Sequence, residues 1–287
     1  MIKIAIASGK GGTGKTFVST NLFWAIQNTG QAVSLVDCDA EEPNVAEFIS
    51  GRVSDRSDIF QNVPVIDSAK CLFCGRCYNY CSYNAIVFLP SSRFIQVVED
   101  LCHDCGACSV ACKNGAITEK KKLLGTVKTM AINDHAQVVE ARAEVGVYSP
   151  VPLIKNAIKA VETEEISIFD SPPGISCPFI ATVDKADFVV LVTEPTPFGL
   201  NDLMLSVETL QELKRPFGVI INRAGMGDSG VYDYLKQNSI PLLMEIPFDR
   251  EIARTYSEGR LLVEQNLSYR EKFSELLNVV VRQIKKG

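Results

Sequence analysis

Two groups of residues in this chain have types and spacings suited to chemistry. Eight of its ten cysteines fall between Cys71 and Cys112, as Cys71-x-x-Cys74-x-x-Cys77-x-x-x-Cys81 and again as Cys102-x-x-Cys105-x-x-Cys108-x-x-x-Cys112. The runs superpose at a period of 31, and each continues with Ala-Ile four residues after its last cysteine (Ala85-Ile86, Ala116-Ile117). Three closely spaced thiolates can wrap one corner of a cuboidal iron–sulfur cluster. Four-cysteine zinc sites also use Cys-x-x-Cys pairs, but the repeated three-plus-one spacing favours iron. The second group is Gly9-Lys10-Gly11-Gly12-Thr13-Gly14-Lys15-Thr16, a match to G-x-x-x-x-G-K-[ST]. Its glycines let the backbone turn its N–H groups toward phosphate oxygens, Lys15 neutralises the β- and γ-phosphates, and the Thr16 hydroxyl binds Mg²⁺.

The cysteine pattern resembles that of bacterial two-cluster ferredoxins, in which the fourth cysteine of each run ligates the other cluster. The resemblance implies two [4Fe-4S] clusters, one on Cys71, Cys74, Cys77 and Cys112, the other on Cys102, Cys105, Cys108 and Cys81. Gly75 and Gly106 stand where the chain must bend tightly around sulfur. The proline usual after the fourth cysteine is replaced by Ser82 in one run and Lys113 in the other.

Elements must position these groups. Lys3 to Ala7 is predicted as a buried strand that feeds the glycine loop, followed by a helix through Trp24 and Ile26 and a second strand from Ala32 to Val36, ending at Asp37. Short runs rich in branched residues at Ile166–Phe169, Phe188–Val192, Val219–Ile221 and Leu242–Ile246, separated by helix-length segments, fit interior strands of a mostly parallel sheet. The expected fold is α/β, of the P-loop NTPase type with helices on both faces, plus a small inserted α+β ferredoxin-like module. Residues 1–62 and 120–287 form the expected nucleotide domain and 63–119 the insertion. Residues 120–147 are expected to return to the sheet as short strands or a hairpin, with Lys120-Lys121-Lys122 as a solvated face.

Composition is consistent with this. The chain has 287 residues, 46% hydrophobic and 22% charged, within the usual globular range. A net charge of -5 gives no general attraction to phosphate backbones or anionic lipid, so nucleic acid is a poor partner and membrane association is not expected. No apolar run reaches the roughly 18 residues of a spanning helix. The start runs straight into the glycine loop without the length or cleavage site of a signal peptide, and clustered thiols suit a reducing compartment, so the cytoplasm is expected.

The phosphate loop, with Lys10 as an additional early lysine, resembles that of the MinD/ParA family of deviant Walker proteins. The resemblance spans the chain apart from the insertion and implies an ATPase. It further implies that Lys10 reaches the partner's phosphates across a nucleotide-dependent homodimer, that Asp39 positions the attacking water, and that Asp37 lies near the Mg²⁺ shell. Asp170-Ser171-Pro172-Pro173-Gly174 looks like a Walker B strand end running into switch II, with Asp170 holding Mg²⁺ through water and Gly174 sensing the γ-phosphate. Asn222, Pro247 and Asp249 match family positions that contact adenine.

The remaining candidates have plainer readings. Cys38 and Cys177 are expected to be buried structural thiols. His103 is expected to face solvent, and His135 has no evident partner. A stripe of Phe273, Leu276, Leu277, Val280, Val281 and Ile284, with Arg282, Lys285 and Lys286 nearby, is expected to pack on the sheet rather than on a membrane. Together these features imply ATP/ADP, Mg²⁺ and two [4Fe-4S] clusters as cofactors. The expected activity is ATP-coupled electron transfer to a redox partner, with iron–sulfur cluster carriage to an apoprotein as the alternative.

Overall fold

The computed structural model of the protein describes residues 1–285. Its strands are β1 (Ile2–Ala7), β2 (Val33–Asp37), β3 (Arg52–Ile66), β4 (Ile86–Leu89), β5 (Phe94–Val97), β6 (Ile117–Asn133), β7 (Ala136–Ala143), β8 (Ile166–Asp170), β9 (Phe188–Thr193), β10 (Phe217–Ala224) and β11 (Leu242–Pro247). The helices are α1 (Lys15–Gln27), α2 (Arg76–Tyr80), α3 (Ala107–Ala111), α4 (Val151–Lys159), α5 (Cys177–Val183), α6 (Pro197–Glu212), α7 (Gly230–Gln237), α8 (Arg250–Ser257), α9 (Leu262–Gln265) and α10 (Leu267–Ile284).

One nine-stranded sheet runs β11-β10-β9-β1-β8-β2-β7-β6-β3. Pairing is parallel from β11 through β7 and antiparallel for β6 and β3. The continuous apolar runs of β1, β8 and β9 follow from burial on both faces. On one face Ile4, Ile6, Leu35 and Ile168 pack with Phe17, Leu22 and Phe23 of α1 and Phe273, Leu276 and Val280 of α10. On the other, Ala5, Val36, Phe169 and Val189 meet Leu153 and Ile154 of α4, Phe179 of α5, Leu203 and Val207 of α6, and Val231 of α7. Each large side chain so buried contributes about 1.5–3 kcal/mol. The stripe of the last helix therefore lies in the core as expected, with Leu277 and Ile284 partly buried against it; Lys286 lies outside the described residues.

The insertion is carried on a feature that the sequence pattern did not announce. β3 and β6 pair antiparallel from Arg52↔Ala131 to Ile66↔Ile117, a two-stranded ribbon. β7 pairs with β6 only between Ala136↔Asn133 and Ala143↔Gly125, so beyond Gly125 the ribbon strands pair only with each other. Gly125 sits at φ +152°, and the register slips between Ile59 and Phe60 opposite it. The ribbon runs without interruption through the expected boundaries, pairing Asn62 with Lys121 and Val63 with Lys120. At its end, residues 67–116 form a module of α2, α3 and the β4–β5 hairpin. Lys120 and Lys122 are not merely solvated: they pair with Glu99 at 2.7 Å and Asp100 at 2.6 Å and tether the module to the ribbon.

Candidate functional site

The glycine loop joins β1 to α1 at the middle of the sheet, with β8 and then β2 as the next strands on one side. This puts the loop beside the carboxylates at the ends of β8 and β2. Gly14 caps α1 in the left-handed region, φ +98°. A side chain there would run into the amide of Asn222, whose Nδ2 donates to the Thr13 carbonyl at 2.8 Å. Glycine is thus required both by backbone conformation and by the close approach of β10. Gly9 is similarly pressed against the backbone of Asp202.

A cleft of about 430 Å³ opens over this loop. Gly11, Gly12, Gly14, Lys15 and Thr16 form one end, and Asp39, Glu42 and Asn44 lean in from the segment after β2. Asn222 and Arg223, with Pro247, Phe248, Asp249, Ile252 and Tyr256, form the other end. The structure therefore brings Asn222, Pro247 and Asp249 into the same cleft as the loop. It adds Tyr256 and Phe248, which sequence reasoning missed. Tyr256 lies on α8, stacks on Phe48 at 4.7 Å and meets Phe17 edge-on at 5.9 Å. A short helix after the last strand was the available signal, with an aromatic residue seven positions past its Asp249 cap.

Asp37, Asp39 and Asp170 stand in three different environments. Asp37 and Asp170 are directly opposed in the β2–β8 register and both are buried. Asp37 is engaged by its own loop: Oδ1 accepts from the Asp39 amide at 3.2 Å, and Oδ2 from the amides of Asn44 and Val45 at 2.9 and 3.0 Å. It holds the segment that presents Asp39. Asp170 is the opposite case, with both carboxylate oxygens buried and lacking a protein hydrogen-bond partner. Burial raises its pKa, opposed by the nearby Thr16 hydroxyl and Lys15 ammonium. An orphaned carboxylate beside a threonine hydroxyl is an oxygen donor set that fits a hydrated Mg²⁺. Burial also lifts Asp39 to about 6, only partly offset by Lys15 and reinforced by Glu41 and Glu42. Lys15 itself is lowered by desolvation, against the pull of Asp170, Asp39 and Asp37.

Lys10 does not line the cleft. Its Nζ pairs with Glu194 at 3.4 Å, and Glu194 also accepts from Arg223 at 2.6 Å, so one largely buried carboxylate ties the glycine loop to the end of β10. Gly174, at φ +87°, donates its amide to the Ser8 carbonyl at 3.1 Å, while its neighbour Pro173 reaches the cleft.

In the module, the repeat is also a repeat of conformation. Phe73 and Asp104, Gly75 and Gly106, and Asn84 and Gly115 all have positive φ and stand one period apart. The thiols gather as two sets of four. Cys71, Cys74, Cys77 and Cys112 surround one cavity, and Cys81, Cys102, Cys105 and Cys108 surround the other. Amides of Phe73 and Ala85 point at the sulfurs of Cys71 and Cys81, at 3.4 and 3.3 Å. Among the described residues, no three His, Cys, Asp or Glu side chains converge at the spacing of a single metal ion. Each set encloses a space instead, and two cavities of four thiols with amide donors fit cuboidal clusters.

Of the other candidates, Cys38 is fully buried, as expected. Cys177 is not: it is exposed at the start of α5, because the loop after Asp170 carries it past the end of the sheet. His103 is exposed but stacks on Tyr83, ring centroids 3.9 Å apart. The His135 ring lies 3.3 Å from the Gln27 carbonyl. No described helix is long and apolar enough to cross a membrane.

Residues 4–263 match the family model described as the CobQ/CobB/MinD/ParA nucleotide binding domain. An uncharacterised protein of Methanocaldococcus jannaschii is 30% identical over 290 residues, covering 98% of each chain. The iron–sulfur cluster carrier protein of Pyrococcus horikoshii is 20% identical over 305 residues, covering 99% of this chain and 86% of its own. Among solved structures, the septum site-determining protein MinD complexed with Mg-ADP, also from Pyrococcus horikoshii, superposes with a TM-score of 0.58 at 21% identity, covering 96% of this chain and 93% of that one. This likeness is one of fold.

Proposed function

The chain belongs to the CobQ/CobB/MinD/ParA nucleotide-binding family, a P-loop ATPase of the MinD/ParA type, and from that premise we propose that it is an ATPase that carries iron–sulfur clusters on its eight-thiol module. The observation that carries this is the gathering of the cysteines into two complete sets of four around separate cavities. ATP occupies the cleft, its β- and γ-phosphates against the loop amides and Lys15 and its base toward Asn222 and Tyr256. Mg²⁺, when bound by Thr16 and through water by Asp170, supplies charge neutralisation at the phosphates. Asp39, ionised above pH about 6, orients water toward the γ-phosphate. The nucleotide-bound state is a homodimer in which Lys10 leaves Glu194 for the partner's phosphates.

Two features favour carriage over electron transfer as the task of the clusters. Relatives along nearly the whole chain bear the name iron–sulfur cluster carrier protein. Each cavity also has one solvent-exposed thiol, Cys74 or Cys105, at which an incoming thiolate could exchange. Electron transfer stays as the second reading because both thiol sets are complete, which a paired electron path requires.

One experiment separates the two. Protein reconstituted anaerobically with labelled iron and sulfide should hold close to eight of each per chain and should pass label to an acceptor apoprotein at a rate that depends on nucleotide. Retention of all label through repeated reduction and reoxidation would favour electron transfer, and stoichiometric zinc without iron would overturn both.

A further inference from the structure

Because the two cysteine runs repeat with the same backbone conformation, the fold asks the same of both halves, and differences between equivalent positions point to something other than folding. Those differences are consistent. Where the second copy has His103, Asp104, Ala107 and Ser109, the first has Leu72, Phe73, Arg76 and Tyr78. In the second copy two of these positions serve the ribbon: Asp104 accepts from the Asn62 amide at 2.8 Å and Ser109 donates to Glu119 at 2.7 Å. In the first copy Leu72 is 70% exposed and Tyr78 46%.

Charge divides the same way. Residues 68–98 contain no Asp or Glu; with 34 acidic residues in 287, a stretch of that length would carry about four. Leu72 and Arg76 line the first cavity beside the exposed Cys74, and Lys113 follows its fourth thiol, Cys112. Arg76 and Lys113 have no carboxylate partner among the described residues, whereas the acidic Glu99 and Asp100 of the second half are matched by ribbon lysines. The rim of the first cavity is thus lined by apolar Leu72 and cationic Arg76 and is free of carboxylates, and the exposed Tyr78 directly follows its thiol Cys77. Protein interfaces have this composition: aromatics and arginine enriched, aspartate and glutamate depleted.

We propose that this rim, centred on Leu72 and Arg76 and extended by the exposed Tyr78 next to Cys77, is the docking surface for an acidic protein that exchanges with the first thiol set, so that the module communicates through its first half and is anchored through its second. The inference rests on the iron–sulfur reading above and names the partner class for that site. A protein is favoured over a membrane or a nucleic acid because the rim offers few cations, on a chain whose net charge is -5. Phosphate surfaces are held mainly by many cations, whereas a protein contact draws on the exposed aromatic and aliphatic centre.

The test uses full-length, anaerobically reconstituted protein and, as probe, the apo form of a small acidic two-iron ferredoxin. Binding is followed by fluorescence anisotropy at low and high salt, and iron content is measured for every sample. Binding should weaken with salt, fall about tenfold or more in Arg76→Glu/Lys113→Glu, fall comparably in Tyr78→Ser, which leaves charge unchanged, and be lost when the probe's carboxylates are amidated. If the charge-reversed protein loses iron, Tyr78→Ser and the amidated probe still decide the matter. Undiminished binding in iron-replete variants, no salt-sensitive binding at all, or binding by phosphatidylglycerol vesicles or single-stranded DNA that depends on the same residues would overturn the proposal. A wild-type chain without iron would instead count against the iron–sulfur reading itself.

Discussion

Lys15 and Asp39 both face the cleft, yet their removal should have different effects. Lys15 meets phosphates in the ground state, so Lys15→Ala should cost on the order of 100-fold in nucleotide affinity, measured by calorimetry. Asp39 acts on water, so Asp39→Ala should keep nucleotide binding and lose about 100-fold or more in turnover; wild-type turnover would remove Asp39 from the site. The carboxylate also makes a statement about pH. Its folded pKa of about 6 lies above the ordinary 3.8 because it is buried. Between those values the folded chain keeps a proton that the unfolded chain has released, so the nucleotide-free protein loses stability as pH rises through that window. Asp39→Asn removes this titration, and its melting temperature should fall less than that of wild type between about pH 4 and pH 7. Equal slopes would mean that Asp39 is solvated like a surface carboxylate. Hydrolysis in the wild type should decline below pH about 6, where Asp39 takes up its proton. These residues were legible in the sequence because strand, loop and charge coincide there. Glu194, Arg223 and Tyr256 were not, because single polar or aromatic residues after strands carry no spacing that marks them.

At the scale of elements, the parallel strands showed themselves through continuous branched runs, and the glycine loop through its position between one such run and a helix. The ribbon did not. Residues 52–62 include the polar run Ser54 to Asp58, exposed throughout, so they lack the alternation by which a half-buried strand is recognised; their pairing is fixed by β6 and not by a core. Gly125 is where this arrangement should be most vulnerable. It has positive φ, is the first residue of β6 paired with β7, and a side chain there would strike the Arg142 carbonyl. Gly125→Ala should cost about 1–3 kcal/mol in denaturant unfolding, with hydrogen exchange accelerated in the ribbon before the parallel strands. An unchanged midpoint and exchange pattern would show that the bend tolerates an ordinary residue.

For the whole molecule, the nucleotide cleft and the thiol module are joined by the ribbon, and any coupling between them must appear as a difference in affinity between two states. The Asp39→Ala protein should double its mass in ATP but not in ADP by light scattering, and adding Lys10→Ala should abolish the doubling. A monomer in every nucleotide would leave the Lys10–Glu194 pair as a purely structural contact. The antiparallel pairing of Ile66 with Ile117 has one more consequence. Because the chain leaves the ribbon and returns to it at neighbouring positions, residues 67–116 could in principle be replaced by a two-residue Asn-Gly turn without altering any strand of the parallel sheet. An ancestral gene could therefore have acquired the thiol module through a single insertion into a hairpin turn, and descendants could shed it as readily, leaving the nucleotide machinery intact in either lineage.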